Sequence, residues 1–97
     1  MLDTGFVKIY RSLLSWEWYD DINTKTVFLH LLLTVSIADS QWHGITIQRG
    51  SRVSSYAILA KETRLSVDKV RTAISHLEST GEITRYKYPK YTVFAIN

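Results

Sequence analysis

The chain has 97 residues, of which 45% are hydrophobic and 22% charged, with no cysteine and a formal net charge of +3. This length predicts one domain with a small core, and it excludes a large enzyme with a separate cofactor domain. The missing cysteines exclude disulfides, thiolate metal sites and thiol nucleophiles, and they favour a reducing compartment, so we expect a cytoplasmic protein. The small positive charge permits nucleic-acid binding without requiring it.

We expect no membrane association. The longest apolar run, residues 27–38, contains polar residues and is shorter than the ~20 residues of a spanning helix. The first residues lack the basic and apolar regions of a signal peptide. The chain ends directly after a strand-like run, which is typical of a module of a longer protein, although a compact complete protein can end in the same way.

The N-terminal half predicts a strand, a short helix and a long helix. Residues 6–10 are β-branched and aromatic and predict a short strand, followed by a short helix over residues 13–19. Residues 23–38 are apolar on nearly every helical side, which predicts a central helix buried all round, with His30 as a core histidine. A break follows at residues 39–41, and residues 45–48 and 52–54 predict two short strands.

The C-terminal half predicts two capped helices and a hairpin. Ser55 is placed to cap a helix over residues 56–64, with Ile58, Leu59 and Ala60 facing inward. After a turn, Ser66 caps a second helix, residues 67–80. The apolar stripe of the second helix consists of Val70, Ala73, Ile74 and Leu77. Gly81 ends it, and residues 82–86 and 91–96 are two strands that residues 87–90 join.

This order of elements predicts a winged helix-turn-helix domain. The fold class is α+β, mainly α, with three or four helices, a C-terminal hairpin and a short N-terminal strand. Residues 1–97 form the single domain, residues 55–81 the helix-turn-helix and residues 82–97 the wing. Spacing, caps, core positions and the terminal glycine agree with one another.

The outward face of the second helix is the candidate contact with DNA. Short polar side chains there allow close approach to a major groove, and Lys69 and Arg71 are placed to contact phosphate or guanine. The alternative is an ordinary solvated face, since winged-helix domains do not all bind DNA.

Charge is unevenly distributed along the chain. Residues 1–48 carry three basic and five acidic side chains, a net charge of −2, whereas residues 49–97 carry nine basic and four acidic ones, a net charge of +5. Basic residues at the hairpin alternate with tyrosines, which suits contacts with a nucleic-acid backbone, or alternatively an ordinary hairpin with paired tyrosines. The candidate DNA-binding residues are Arg52, Ser54, Ser66, Asp68, Lys69, Arg71, Thr72, Ser75, His76, Arg85, Lys87 and Lys90.

We expect no catalytic residue, metal site or cofactor. His30, His43 and His76 fall in three different predicted elements, and no pair has the i, i+4 spacing of a helical metal site. The four glycines are isolated, so a glycine-rich phosphate loop is absent from the sequence. The adjacent Asp20 and Asp21 are interpreted as helix caps rather than as a carboxylate dyad.

The N-terminal half also carries a family resemblance. The segments Gly5–Leu14, Trp16–Tyr19 and Thr26–Leu33 resemble the N-terminal domain of phage replisome-organiser and DnaD-like replication proteins of Gram-positive bacteria and their phages. Gly44–Gly50 and Ser66–Gly81 fit the same family, so the resemblance covers nearly the whole chain. It implies a winged-helix module of a replication-initiation or primosomal protein, with origin duplex DNA as the expected partner.

Two further hypotheses stay open. In bacterial members of this family the corresponding domain is associated with self-assembly, which implies a homo-oligomer and contacts with helicase-loading or other initiation proteins. The candidate oligomerisation residues are those of the predicted first strand, since an unpaired strand is a template for pairing; they are Phe6, Val7, Ile9 and Tyr10. A transcription regulator of the same fold is the third hypothesis.

Overall fold

Three α-helices and two small antiparallel sheets make up residues 5–97, the part of the chain that the computed structural model describes. The expected α+β class is therefore confirmed. The elements in chain order are a 3-10 helix Arg11–Ser15, α1 Ile22–Thr34, β1 Ser40–Trp42, β2 Ile45–Ile47, β3 Ser51–Ser54, α2 Tyr56–Thr63, α3 Val67–Ser79, β4 Ile83–Lys87 and β5 Thr92–Ile96. Within the described residues, none of the helices has both the length and the apolar character needed to cross a membrane.

Side-chain caps start all three α-helices, as the sequence predicts. Asp21 accepts a hydrogen bond from the backbone N–H of Thr24 at 3.0 Å and starts α1. Ser55 starts α2 and Ser66 starts α3 by the same kind of bond, at 3.1 and 3.2 Å. Each cap satisfies one of the backbone donors that a helix start leaves without an internal partner.

α3 is the helix on which the core is assembled. Its predicted apolar stripe is confirmed, because Val70, Ala73, Ile74 and Leu77 are all buried. The other members of the core come from the remaining helices and from the large sheet, namely Val27, Leu31, Leu59, Ala60, Ile83 and Phe94. α3 contacts α1, α2 and β4, so it joins the other helices to the large sheet.

The expectation that the first long helix is buried on every side is wrong. α1 ends at Thr34, and only Thr24, Val27 and Leu31 on it are buried. Leu33 is 68% exposed, and Ile37, beyond the end of the helix, is 91% exposed. The cause is the size of the chain, since a domain this small has no further layer to cover the outer side of α1. Ile58 on α2, predicted to face inward, is likewise exposed.

β5 is the central strand of the larger sheet, with β3 on one side and β4 on the other. Ser54 lies opposite Thr92, and Thr92 lies opposite Lys87 on the third strand. Paired residues point to the same face of a sheet, so this row shares its face with the buried Phe94. The predicted hairpin of residues 82–96 is confirmed.

The smaller sheet is a hairpin of β1 and β2, whose first strand was predicted as a break. The turn residues His43 and Gly44 both have positive φ, at 47° and 77°. Two-residue turns with positive φ at both positions match the twist of antiparallel strands. The glycine between two short alternating segments was the available signal for this hairpin.

The predicted N-terminal strand is also wrong. Residues 6–10 belong to neither sheet and are exposed, and a 3-10 helix and a turn replace the short helix expected next. A strand needs a partner edge as well as suitable residues, and neither sheet offers this segment one.

Two tryptophans attach the turn that follows the 3-10 helix to the C-terminal end of α3. The Trp16 indole N–H donates to Glu82 at 2.6 Å, and that of Trp18 donates to the Thr80 hydroxyl at 2.9 Å. The Trp16 ring packs 4.9 Å from that of Phe28. The two hydrogen bonds connect residues that are more than 60 positions apart in the chain.

Candidate nucleic-acid interface

The polar face of α3 is open to solvent. Lys69, Thr72 and Ser75 are exposed, and within the described residues their side chains make no hydrogen bond or ion pair. Asp68 lies on the same side with its side chain 91% exposed. The apolar face holds the helix in the core, so the polar face is free to enter a groove of suitable width.

Two arginines meet at one aromatic ring between α3 and β4. The guanidinium carbon of Arg71 lies 5.3 Å from the ring centre of Tyr56, and that of Arg85 lies 5.4 Å from it. Arg71 also pairs with Asp68 at 2.8 Å, and Arg85 pairs with Glu78 at 3.3 Å. Exposed pairs of this kind contribute only about 0–1 kcal/mol, so a phosphate can compete for either arginine.

Lys87 and Lys90 lie at the end of the β4–β5 hairpin. Both are exposed, and neither has an acidic partner among residues 5–97. Tyr88 stacks on Tyr91 with ring centres 4.7 Å apart. With Arg71, Tyr56 and Arg85 these lysines complete a series of cationic and aromatic side chains, which we call the basic stripe. It runs from α3 across the start of α2 to the hairpin tip.

Arg52 and Ser54 lie outside this stripe, contrary to the sequence prediction that they contact phosphate. The Arg52 guanidinium donates to both oxygens of Glu62, at 2.9 and 3.3 Å, and to the Thr34 hydroxyl at 2.9 Å. Its side chain is only 17% exposed. Ser54 is buried beneath the start of α2, because its strand pairs with β5 against the core.

His30 is partly exposed, with 24% of its side chain accessible, rather than the predicted core histidine. Its Nε2 lies 2.8 Å from Glu62, which also receives Arg52. The hydrogen bonds from Arg52, and after them the one from His30, hold the pKa of the Glu62 carboxyl below its usual value. The three side chains tie α1, β3 and α2 together.

His76 was predicted to face outward and reach a phosphate, but it lies between α3 and α1. Its Nδ1 is 2.8 Å from the Thr24 hydroxyl and 3.4 Å from Asp21. Its ring stacks on Trp18 at 4.2 Å. The helical position alone is ambiguous, since whether it faces solvent depends on where α1 packs.

Ion pairing decides how much of the positive charge of residues 49–97 is available. Glu62, Asp68 and Glu78 each pair with one arginine. The fourth carboxylate of this half, Glu82, accepts from a tryptophan. The described structure gives no acidic partner to the remaining cations of this half, which are Arg49, Lys61, Arg64, Lys69, Lys87 and Lys90.

Sequence reasoning missed Tyr56, Lys61 and Arg64. Arg64 ends α2 in the left-handed region with φ 61°, and Lys61 is one turn earlier on an exposed side. The charges of Lys61 and Arg64, together with their place just before the predicted turn, were the signal in the sequence that could have indicated them. The role of Tyr56 depends on two arginines from other elements, so no local signal indicated it.

The candidate assembly residues form an exposed apolar segment. Phe6 is 88% exposed and Tyr10 is 71% exposed, while Ile9 and Val7 are exposed to a lesser degree. Behind them lies a largely apolar pocket of about 320 Å³ whose walls include Trp16. Exposed apolar side chains close together are a feature of contact surfaces.

The described residues hold no cluster of three or more histidine, aspartate or glutamate side chains that suits a metal ion. Comparison of the chain with protein-family models, with curated proteins and with solved structures finds no match.

Proposed function

We propose that this chain is a winged helix-turn-helix module that binds duplex DNA, in a replication-initiation protein of the replisome-organiser or DnaD-like kind. α2, its three-residue turn and α3 supply the helix-turn-helix, and the β4–β5 hairpin supplies the wing. The observation that carries the proposal is the open polar face of α3 beside the basic stripe. The sequence resemblance supports origin DNA and a helicase-loading protein as partners in a bacterial cytoplasm.

In this mode of binding, α3 enters the major groove. Lys69, Thr72 and Ser75 reach base edges, as short and cationic side chains do in such complexes. Lys87 and Lys90 neutralise phosphates on the flanking backbone. Ser66 and Asp68 have supporting roles, since the first caps α3 and the second holds Arg71 until a phosphate replaces it.

Placing a negative charge on the α3 face tests this proposal. Ser75→Glu puts a carboxylate against the phosphates and bases, so we expect duplex affinity to fall by at least about tenfold. Ser12→Glu is the matched control, because Ser12 is also an exposed serine but lies in the N-terminal 3-10 helix. Equal affinities of both variants and the unchanged protein for origin-region and random duplexes would contradict the proposal.

Assembly of several copies is the second candidate function, which the exposed apolar segment of residues 6–10 favours. A dimer would also present two copies of α3 to a two-fold DNA site. Phe6→Ser with Ile9→Ser removes apolar contact area, and we expect it to shift the sedimentation coefficient toward that of a monomer at high salt. Ile37→Ser is the control, since Ile37 is exposed and apolar but lies beyond α1. A monomeric unchanged protein would contradict this function.

A further inference from the structure

A second candidate site lies between the two β-hairpins. A cleft of about 700 Å³ opens there beside the start of α2. Its floor is the row of Ser54, Thr92 and Lys87, which lie opposite one another on three adjacent strands. We call this space the hairpin cleft; its walls include Trp42 of the small hairpin, and Tyr88, Lys90 and Tyr91 of the large one.

Aromatic rings form one wall of the hairpin cleft. The Trp42 ring lies 5.3 Å from that of Tyr91 and meets it at 61°, and Tyr91 stacks on Tyr88. Tyr88 is 45% exposed, so much of its side chain is accessible to a ligand. Rings that support one another in this way are a rigid platform for a further flat group.

The charge of the hairpin cleft has one sign. Its described lining includes Arg52, Lys87 and Lys90 and no carboxylate. Arg52 is neutralised by Glu62, which leaves the two lysines to act on a ligand. The Ser54 hydroxyl in the floor is buried without a hydrogen-bond partner, although buried polar groups usually have one. The two lysines therefore make the cleft suitable for an anionic ligand.

We propose that the hairpin cleft binds a segment of single-stranded nucleic acid. Unpaired bases stack on Tyr88 and the rings behind it, while Lys87 and Lys90 contact the adjoining phosphates. Alternation of stacking rings with cations along a groove is how proteins hold single strands. An acidic peptide without aromatic residues would use the lysines but has no flat groups to stack on the rings.

Size separates this ligand from a duplex. The volume falls within the ~300–1,000 Å³ of sites that enclose drug-sized ligands, which suits a few unpaired nucleotides and is too small to enclose a double helix. The site therefore differs from the α3 face proposed for duplex DNA, and it does not depend on that proposal. Lys87 and Lys90 border both surfaces, so the variants that tell them apart lie elsewhere.

The test measures fluorescence anisotropy of a labelled oligothymidylate of about ten nucleotides, and of a labelled duplex in parallel. Tyr88→Ala removes the accessible ring, and we expect single-strand affinity to fall about tenfold or more. Tyr86→Ala is the matched control, because Tyr86 is equally exposed and on the same hairpin but lies on the opposite sheet face, across from Val93. We expect this control to bind like the unchanged protein.

Two further variants test the phosphate contacts of the hairpin cleft and the separate role of α3. Lys87→Gln with Lys90→Gln keeps the rings, and we expect the salt slope of single-strand binding to fall by about 1.4, or about 0.7 per lost phosphate contact. Lys69→Gln weakens duplex binding alone if α3 holds the duplex, and unchanged duplex affinity counts against the α3 proposal only.

Three results would overturn the hairpin-cleft proposal. The first is an unchanged protein that binds duplex but no single strand. The second is an equal loss of single-strand affinity in Tyr88→Ala and Tyr86→Ala. The third is poly-glutamate binding as tightly as the oligothymidylate, since charge alone would then account for the contact.

Discussion

Glu62 organises the charges between three elements of the protein. It accepts from Arg52 and from His30, so a cation that the sequence offered for phosphate binding is already neutralised inside the fold. Arg71 pairs with Asp68, which is far more exposed than Glu62, and Arg85 makes a single longer contact of 3.3 Å with Glu78. Of the predicted cationic contacts, Lys69, Lys87 and Lys90 are the ones that the described structure leaves unpaired.

The lowered pKa of Glu62 makes stability depend on pH in a defined direction. A carboxyl whose pKa is lower in the folded state stabilises the protein above its unfolded pKa, and the contribution is lost as the pH falls through the folded value. We expect Glu62→Gln to lower the free energy of unfolding near pH 7. We also expect the variant to lose less stability than the unchanged protein when the pH falls below about 4. Urea unfolding near pH 7 and below about pH 4 measures both effects.

Glu17→Gln is the control for this prediction, since Glu17 is exposed and makes no ion pair among the described residues. If the free energy of unfolding falls equally steeply at acid pH in the unchanged protein and in Glu62→Gln, the role assigned to Glu62 is contradicted.

Ser54 provides a second test at this scale. A buried hydroxyl without a partner costs about 1–3 kcal/mol, and Ser54 has such a hydroxyl. We therefore expect Ser54→Ala to raise the free energy of unfolding by about 1 kcal/mol. Thr24 is the comparison residue, because its buried hydroxyl has a partner in His76. Thr24→Ser keeps this hydroxyl, whereas Thr24→Ala removes it and is expected to destabilise the protein. A loss of stability in Ser54→Ala, measured by urea unfolding, would show that its hydroxyl has a partner.

Among the helices and strands, the features predicted correctly are those that depend only on residues close together in the sequence. Ser55 and Ser66 as caps, the apolar stripe of α3 and the end of that helix at Gly81 are all confirmed. Each depends on a few neighbouring residues whose hydrogen bonding or backbone freedom is nearly independent of the rest of the chain.

The errors concern elements whose state depends on distant partners. Residues 6–10 have strand-forming side chains but no edge to pair with, and α1 has an apolar outer side with no layer over it. Ser54 and His76 look exposed by position, yet β5 and α1 cover them. Tertiary packing decides such cases, and a single sequence does not contain the packing in readable form.

The attachment of the N-terminal turn to α3 predicts a measurable contribution to stability. Trp16→Phe keeps an aromatic ring against Phe28 but removes the N–H that Glu82 accepts. Glu82 keeps the Thr80 hydroxyl as a second donor, so we expect the free energy of unfolding to fall by the contribution of one hydrogen bond, about 1 kcal/mol. Trp42→Phe is the control, since its indole N–H makes no side-chain hydrogen bond within the described residues. Equal losses in both variants would contradict the assignment.

On the scale of the whole molecule, the two halves of the sequence, with net charges of −2 and +5, do not fold as two separate bodies. The −2 half supplies α1, which packs on α3 of the +5 half. Ion pairing neutralises three arginines of the +5 half, and the other six of its nine cations have no acidic partner among residues 5–97. Counting charges along the sequence indicated the half that holds the basic stripe, but the stripe itself depends on Tyr56 lying between Arg71 and Arg85.

The salt dependence of duplex binding tests the central claim most directly. Affinity for a duplex should fall steeply with salt, and Lys87→Gln with Lys90→Gln should reduce the slope of log K against log salt by about 1.8, or about 0.9 per phosphate contact. Lys8→Gln, on the acidic half, should leave the slope unchanged. A slope near zero for the unchanged protein, or the same slope in the double variant, would contradict binding of duplex DNA through α3 and the hairpin.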